Sequence, residues 1–181
     1  MSEEKWDYEW SKYLKLTENF DIFPLQFANA MRIEKNDAVY ILDEVGCGKT
    51  ISAGFIALNY LFNCDKQEEE KNQINCDEQK KEKKKKIVQI VTINSLVKKT
   101  NRAGQFLNDW YEKLPFKELG YRDRISICNN HYKNIEKVAK REDIGLLIID
   151  EAHLFLEDTE RLNNLKNIKA HNFVLVELFG L

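Results

Sequence analysis

The sequence contains few cysteines, and they lie far apart. Only four of its 181 residues are cysteine, and no two of them form a CxxC pair. A zinc knuckle or a disulfide framework needs cysteines at short, paired spacings, so neither is indicated. A reducing cytoplasm is therefore the expected setting. The four residues are Cys47, Cys64, Cys76 and Cys128.

The sequence also lacks a long apolar run and an excess of either charge. Its start, MSEEKWDYEW, is acidic and aromatic, whereas a signal peptide has a basic start and an apolar core. No later run approaches the roughly 20 apolar residues of a membrane span, so we expect a soluble, intracellular protein. With 28 basic and 30 acidic residues the formal charge is −2, and any contact with nucleic acid would have to be local.

Short apolar runs alternate with segments of helical periodicity along the chain. At 43% hydrophobic residues, the chain can build one core around a central sheet. The pattern predicts a single α/β domain with a mostly parallel sheet, helices on both faces and right-handed crossovers. The expected strands lie in residues 37–44, 86–93, 124–128, 144–155 and 173–181, and the expected helices in 6–16, 25–32, 49–62, 103–114 and 134–142.

Residues 65–86, DKQEEEKNQINCDEQKKEKKKK, interrupt this pattern. They contain almost no apolar side chains and so cannot bury enough surface to offset the entropy of ordering. We predict a flexible, charged surface insertion. We interpret it as a tolerated insertion without a function, and a contact of its lysine-rich end with a phosphate backbone is the alternative.

The segment DEVGCGKT, residues 43–50, has the chemistry of a phosphate-binding loop between a strand and a helix. Glycines allow the backbone to curl around a phosphate, a lysine reaches the β- and γ-phosphates, and a hydroxyl binds Mg²⁺. A glycine-rich turn with a solvated lysine is the alternative. The predicted nucleotide-binding residues here are Asp43, Glu44, Val45, Gly46, Cys47, Gly48, Lys49 and Thr50.

A second segment, LLIIDEAH, ends an apolar run in two acids. The carboxylate of Asp150 could hold Mg²⁺ together with Thr50, and Glu151 could activate the attacking water. Taken alone, such a run also fits a strand that ends in a solvated loop. Its pairing with the loop at 43–50 makes Lys49, Asp150 and Glu151 the predicted catalytic residues.

Together, DEVGCGKT and DEAH resemble the first two ATPase motifs of superfamily-two helicases and translocases, most closely the SWI/SNF-like branch that includes RapA-like proteins. An acidic residue at the first loop position, here Asp43, is usual in that branch. The resemblance implies a RecA-like P-loop domain that binds ATP and Mg²⁺ and contacts nucleic acid, most often duplex DNA. The resemblance also implies that His153 belongs to the site, whereas its spacing alone fits an exposed loop histidine equally.

Two further segments are similar to this family. FPLQFANAM resembles an upstream segment whose glutamine recognises adenine, which implies that role for Gln26, although a buried or capping glutamine fits equally. Residues 87–114, with the Ser95–Leu96 pair and Trp110, resemble the next segment, which touches the nucleic-acid backbone. The resemblance therefore implies phosphate contacts for Ser95, Lys98 and Lys99, for which a solvated basic helix start is the alternative.

The sequence departs from the family in two places. It has no Ser/Thr-Ala-Thr segment near residues 171–181, and it lacks the second RecA-like domain that supplies arginines to the γ-phosphate. We therefore expect a truncated motor domain that binds ATP better than it hydrolyses it. A non-hydrolysing ATP- or nucleic-acid-binding module that acts through a partner chain, or a P-loop ATPase of another class, are the alternatives.

Overall fold

The computed structural model of the protein describes residues 29–30, 32–33, 36–43, 47–74, 85–93, 97, 99–100, 106–107, 110–111, 114–156 and 158–178. Asn29, Ala30 and Arg32 are helical, in agreement with part of the helix predicted at 25–32. The main elements are β1 (Ala38–Asp43), α1 (Lys49–Ile74), β2 (Ile87–Thr92), β3 (Lys99–Thr100), β4 (Phe106–Leu107), a 3-10 turn (Arg122–Arg124), β5 (Ile125–Asn129), α2 (Tyr132–Ala139), β6 (Ile144–Asp150), α3 (His153–Leu156), α4 (Thr159–Lys166) and β7 (Asn172–Leu178).

Five strands form a parallel sheet in the order β1-β7-β6-β2-β5. The predicted α/β class with a parallel sheet is therefore confirmed. Strands β2 and β6 lie inside the sheet and are buried along their whole length, which explains why both are continuous runs of mostly branched apolar residues. The last strand, β7, lies between β1 and β6. The strands that lead into the two predicted motifs, β1 and β6, are therefore not neighbours in the sheet.

Helix α1 covers one face of the sheet. Every residue from Ser52 to Asn59 is buried, because the helix packs between the sheet and segments on its outer side. Trp110 and Leu114 belong to that outer layer of the core. The Asn59 side-chain amide donates a 3.0 Å hydrogen bond to the Ala30 carbonyl and so ties α1 to the preceding helical segment.

Helices α2, α3 and α4 lie on the opposite face. Ile135 and Val138 of α2, Phe155 of α3 and Ile168 after α4 pack with Ile87, Val91, Ile144, Leu147 and Ile149 of the strands in a second core. Helix α2 begins two residues before the predicted segment, because the His131 side chain caps it by accepting from the Lys133 N–H. The sheet is therefore covered on both faces, as predicted.

The strand predicted at 144–155 ends at Asp150, because the chain turns at Glu151 and α3 begins at His153. Two helix-related predictions are also corrected by the structure. Helix α1 continues to Ile74, so residues 65–74 of the predicted flexible insertion at 65–86 are helical. Glutamate, lysine and glutamine are good helix formers, and an ion pair between Asp65 and Arg124 fixes this part of the helix to the start of β5. Residues 75–84 lie outside the described residues, and an insertion there stays a prediction.

The second correction concerns the helix predicted at 103–114. Phe106 and Leu107 instead form β4, which pairs antiparallel with Lys99 and Thr100 of β3. Helical geometry is present at Trp110, close to the end of the predicted segment. The periodicity of a short apolar stretch is compatible with both strand and helix. Aromatic residues such as Phe106 are common in strands, and Phe106 is in a strand here. No helix in the described part of the chain is long and apolar enough to span a membrane.

Candidate nucleotide site

The start of α1 forms one side of the candidate site. Gly48 has a φ of +76°, a left-handed conformation that favours glycine, and it turns the chain into the helix. Its carbonyl accepts the first helical hydrogen bond, from the Ser52 N–H at 3.0 Å. The N–H groups of the first turn of a helix have no partner within the helix and point out of its N-terminal end, and such an end attracts anions.

Lys49 is the first residue of α1 and is 91% buried, with 9% of its surface exposed. A lysine so far from solvent needs an anionic neighbour, and the charge of Lys49 lowers the pKa of the Asp150 carboxyl. Strands β1 and β6 are two strand spacings apart, which is about 10 Å. The long Lys49 side chain can span part of this distance, so that its charge affects the Asp150 carboxyl although β7 lies between the two strands. The half-buried Thr50 follows Lys49 in the same turn.

Asp150 ends β6 and is only 3% exposed. Burial raises the pKa of its carboxyl from 3.8 to about 6, and the negative charge of Glu151 acts in the same direction. A hydrogen bond from the Thr92 hydroxyl to Asp150 Oδ2, at 2.8 Å, opposes this shift. The backbone N–H of Glu151 and the charge of Lys49 oppose it further. Near neutral pH the carboxylate is therefore the prevailing form.

Glu151 lies at a sharp turn directly after β6. Its φ of +55° is unusual for a residue with a Cβ and indicates local strain at the site. The next residue, Ala152, donates its N–H to the Val176 carbonyl at 3.0 Å, which anchors the turn to β7. The half-buried Glu151 side chain lies 3.6 Å (Oε2) from Nδ1 of His153, the first residue of α3.

The donors at this edge of the sheet fit a phosphate with a bound Mg²⁺ ion. Mg²⁺ in phosphate sites typically takes one or two carboxylates, keeps several waters and shares the phosphate oxygens. Asp150 supplies a nearly buried carboxylate, Thr50 a hydroxyl, and Lys49 a cation at a helix N-terminus. In the described part of the chain no group of three or more His, Cys, Asp or Glu side chains could hold a metal.

The other predicted site residues are placed as follows. Cys47 is exposed in the loop before α1, and Asp43 is the last residue of β1. Lys99 lies in β3 of the small hairpin, so the alternative of a helix start does not apply to it. Gln26, Glu44, Val45, Gly46, Ser95 and Lys98 lie outside the described residues.

Thr92 was not among the predicted site residues. The sequence signal is weak, because Thr92 is a single hydroxyl near the end of the apolar run KIVQIVTI. The structure makes it a direct partner of Asp150, and both side chains are buried. Only the alignment of β2 beside β6 brings them together.

No family model matches the chain, and no curated protein matches it in sequence. Its structure is similar to that of the Sulfolobus solfataricus SWI2/SNF2 ATPase core in complex with dsDNA, with a TM-score of 0.53 and 14% sequence identity. The match covers 87% of this chain and 32% of that chain. The likeness shows the fold alone. That fold is RecA-like, as predicted, and the chain spans about a third of the length of the SWI2/SNF2 core.

Proposed function

We propose that this chain is the ATP-binding motor domain of a helicase-like translocase. The observation that carries the proposal is the placement of two buried charged residues, Lys49 at the start of α1 and Asp150 at the end of β6. The charge of Lys49 lowers the pKa of the Asp150 carboxyl, although β7 lies between β6 and β1, the strand that precedes Lys49. A cation and a carboxylate at the carboxyl edge of a parallel sheet, beside a helix N-terminus, are the parts that ATP with Mg²⁺ requires.

In this proposal each residue has a distinct role. Lys49 binds the β- and γ-phosphates of ATP, while Thr50 and Asp150 would hold Mg²⁺, which neutralises phosphate charge when bound. Glu151, at its strained turn, accepts a proton from the attacking water. The remaining loop residues 43–48 wrap the phosphates, and Gln26 recognises adenine.

The proposed polymer is duplex DNA. The similar SWI2/SNF2 ATPase core is in complex with dsDNA, and the resemblance of residues 87–114 to the nucleic-acid-contacting segment of that family supports the same partner. Ser95, Lys98 and Lys99 are the proposed phosphate contacts. Movement on DNA would require a second RecA-like domain to complete the ATP site.

A second candidate is an ATP-binding module that does not turn over by itself. The charge of Lys49 lowers the pKa of the Asp150 carboxyl, whereas Arg124, Arg141 and Arg161 form ion pairs with Asp65, Asp143 and Asp158. Phosphoryl transfer gains several orders of magnitude from an additional arginine. ATP binding without hydrolysis would follow if that arginine must come from another chain.

The test is binding and hydrolysis of Mg·ATP by the purified chain, with and without duplex DNA. Lys49→Ala should abolish binding, whereas Lys137→Ala, a lysine exposed on α2, should leave it unchanged. Hydrolysis that duplex DNA stimulates would support the motor domain. Binding without hydrolysis under all conditions would support the second candidate. Equal nucleotide binding by the wild type and Lys49→Ala would refute both.

A further inference from the structure

Thr92 and Asp150 end neighbouring parallel strands at the same height. Their strands are paired up to Val91 and Ile149, and the two residues follow directly. Two residues earlier, Ile90 and Ile148 point into the core beneath α1. Because side chains alternate along a strand, Thr92 and Asp150 also point to the α1 face, where the start of that helix lies.

The hydrogen bond between them is buried. Thr92 has no exposed surface, Asp150 is 3% exposed, and the hydroxyl donates to Oδ2 at 2.8 Å. Threonine is β-branched, so few χ1 values are available to it and the direction of its hydroxyl is well defined. The carboxyl group of an aspartate rotates broadly by contrast. The Thr92 hydroxyl therefore selects one orientation of the Asp150 carboxylate.

We infer that Thr92 is a positioning residue, whose hydroxyl holds the Asp150 carboxylate in the orientation that binds a divalent cation beside the nucleotide. The inference rests on the proposed function and deepens it. Hydrogen bonds from a neighbouring side chain to a metal-binding carboxylate fix the ligand before the ion arrives. Without the hydroxyl, the same carboxylate is present but has to be oriented during binding.

The experiment follows binding of a fluorescent ATP analogue to the full chain while Mg²⁺ is titrated. Thr92→Val keeps the branched shape and removes the hydroxyl, whereas Thr92→Ser keeps the hydroxyl. In Thr92→Val the Mg²⁺ concentration for half-maximal binding should rise about tenfold, and in Thr92→Ser it should stay within about twofold of the wild type. Binding measured in EDTA should be the same in all three proteins.

Thermal unfolding without nucleotide shows whether each variant folds. If Thr92→Val does not fold, Thr92→Ala replaces it in the comparison with Thr92→Ser. An unchanged Mg²⁺ requirement in the hydroxyl-free variant would overturn the inference, as would equal changes in the variants with and without the hydroxyl. Wild-type chain without Mg²⁺-dependent binding, or with binding that Lys49→Ala retains, would overturn the proposed function and this inference together.

Discussion

Nδ1 of His153 lies 3.6 Å from Oε2 of Glu151, and neither atom has a hydrogen-bond partner among the described residues. The two atoms are within ion-pair range but beyond hydrogen-bond range. Buried polar atoms without partners are uncommon and mark places where water or a ligand completes the structure. Glu151 Oε2 is such an atom, at a strained turn beside Asp150, and the proposed function assigns this carboxylate the role of accepting a proton from the attacking water.

Glu151→Gln should therefore abolish turnover while nucleotide binding remains. The substitution keeps the size of the side chain and removes its basicity, and loss of a general base typically lowers the rate about 100-fold or more. Steady-state ATPase assays and equilibrium nucleotide binding measure the two effects separately. Glu136→Gln, at an exposed glutamate of α2 that pairs with Lys140, far from the site residues in sequence, is the matched control and should change neither. Wild-type turnover in Glu151→Gln would contradict the assigned role.

The raised pKa of Asp150 predicts a pH dependence of stability. The folded state binds this proton more tightly than the unfolded state, because the pKa rises from 3.8 to about 6. The contribution of Asp150 to stability is thus fully present below pH 3.8 and is lost as the pH rises through about 6. Above that range the buried carboxylate lowers the free energy of unfolding by about 3 kcal/mol relative to its protonated form.

Asp150→Asn removes this titration. The variant should be more stable than the wild type at pH 7. The difference should shrink as the pH falls from about 6 to 3.8, because the wild-type carboxyl takes up its proton first in the folded state. Urea unfolding at a series of pH values measures the difference. A constant difference across this range would show that Asp150 does not titrate between the two states as described.

Gly54 should not tolerate a side chain. It is buried in α1, and a Cβ placed on it would collide with the side chain of Leu114. In an exposed helix Gly→Ala stabilises by about 1 kcal/mol, whereas overpacking a core costs about 1–3 kcal/mol. We therefore expect Gly54→Ala to destabilise the chain in urea unfolding.

A double-mutant cycle with Leu114→Ala tests this explanation. Removing the leucine opens the space that the new methyl group needs, so Gly54→Ala should be less harmful, or even stabilising, in that background. The single Leu114→Ala variant supplies the cost of the cavity, about 2–5 kcal/mol for a buried leucine. Additive effects of the two substitutions would argue against the collision.

Much of the fold could be predicted because burial on both faces produces continuous apolar strands. Runs such as those of β2 and β6 are visible without knowing which strand lies beside which. The position of β7 between β1 and β6 could not be predicted, since strand order depends on contacts between distant parts of the chain. The contact of Thr92 with Asp150 depends on the same order and was missed for the same reason.

The site could be predicted in part. Lys49 and Asp150 were found from their motifs, and the structure brings their charges together, while the roles assigned to them stay predictions. The length of α1 was not predicted, because a segment rich in lysine and glutamate is compatible with both disorder and helix. The contact of Asp65 with Arg124, a residue 59 positions later in the chain, favours the helix over disorder, and the sequence does not show this contact.

That contact gives the last prediction. Arg124 is mostly buried, its Nε donates to the Lys86 carbonyl at 3.1 Å, and its guanidinium also pairs with Asp65, so the ion pair joins α1 to the beginnings of β2 and β5. Asp65→Asn leaves the arginine charge without its anion and should lower the free energy of unfolding by about 1–2 kcal/mol. This loss is smaller than that expected from breaking a fully buried ion pair, because Asp65 is partly exposed. Glu69→Gln, at an exposed acid of the same helix, should change stability by less than about 0.5 kcal/mol. Urea unfolding of both variants decides the matter: equal effects would mean that general charge, and not the bond to Arg124, stabilises this part of α1.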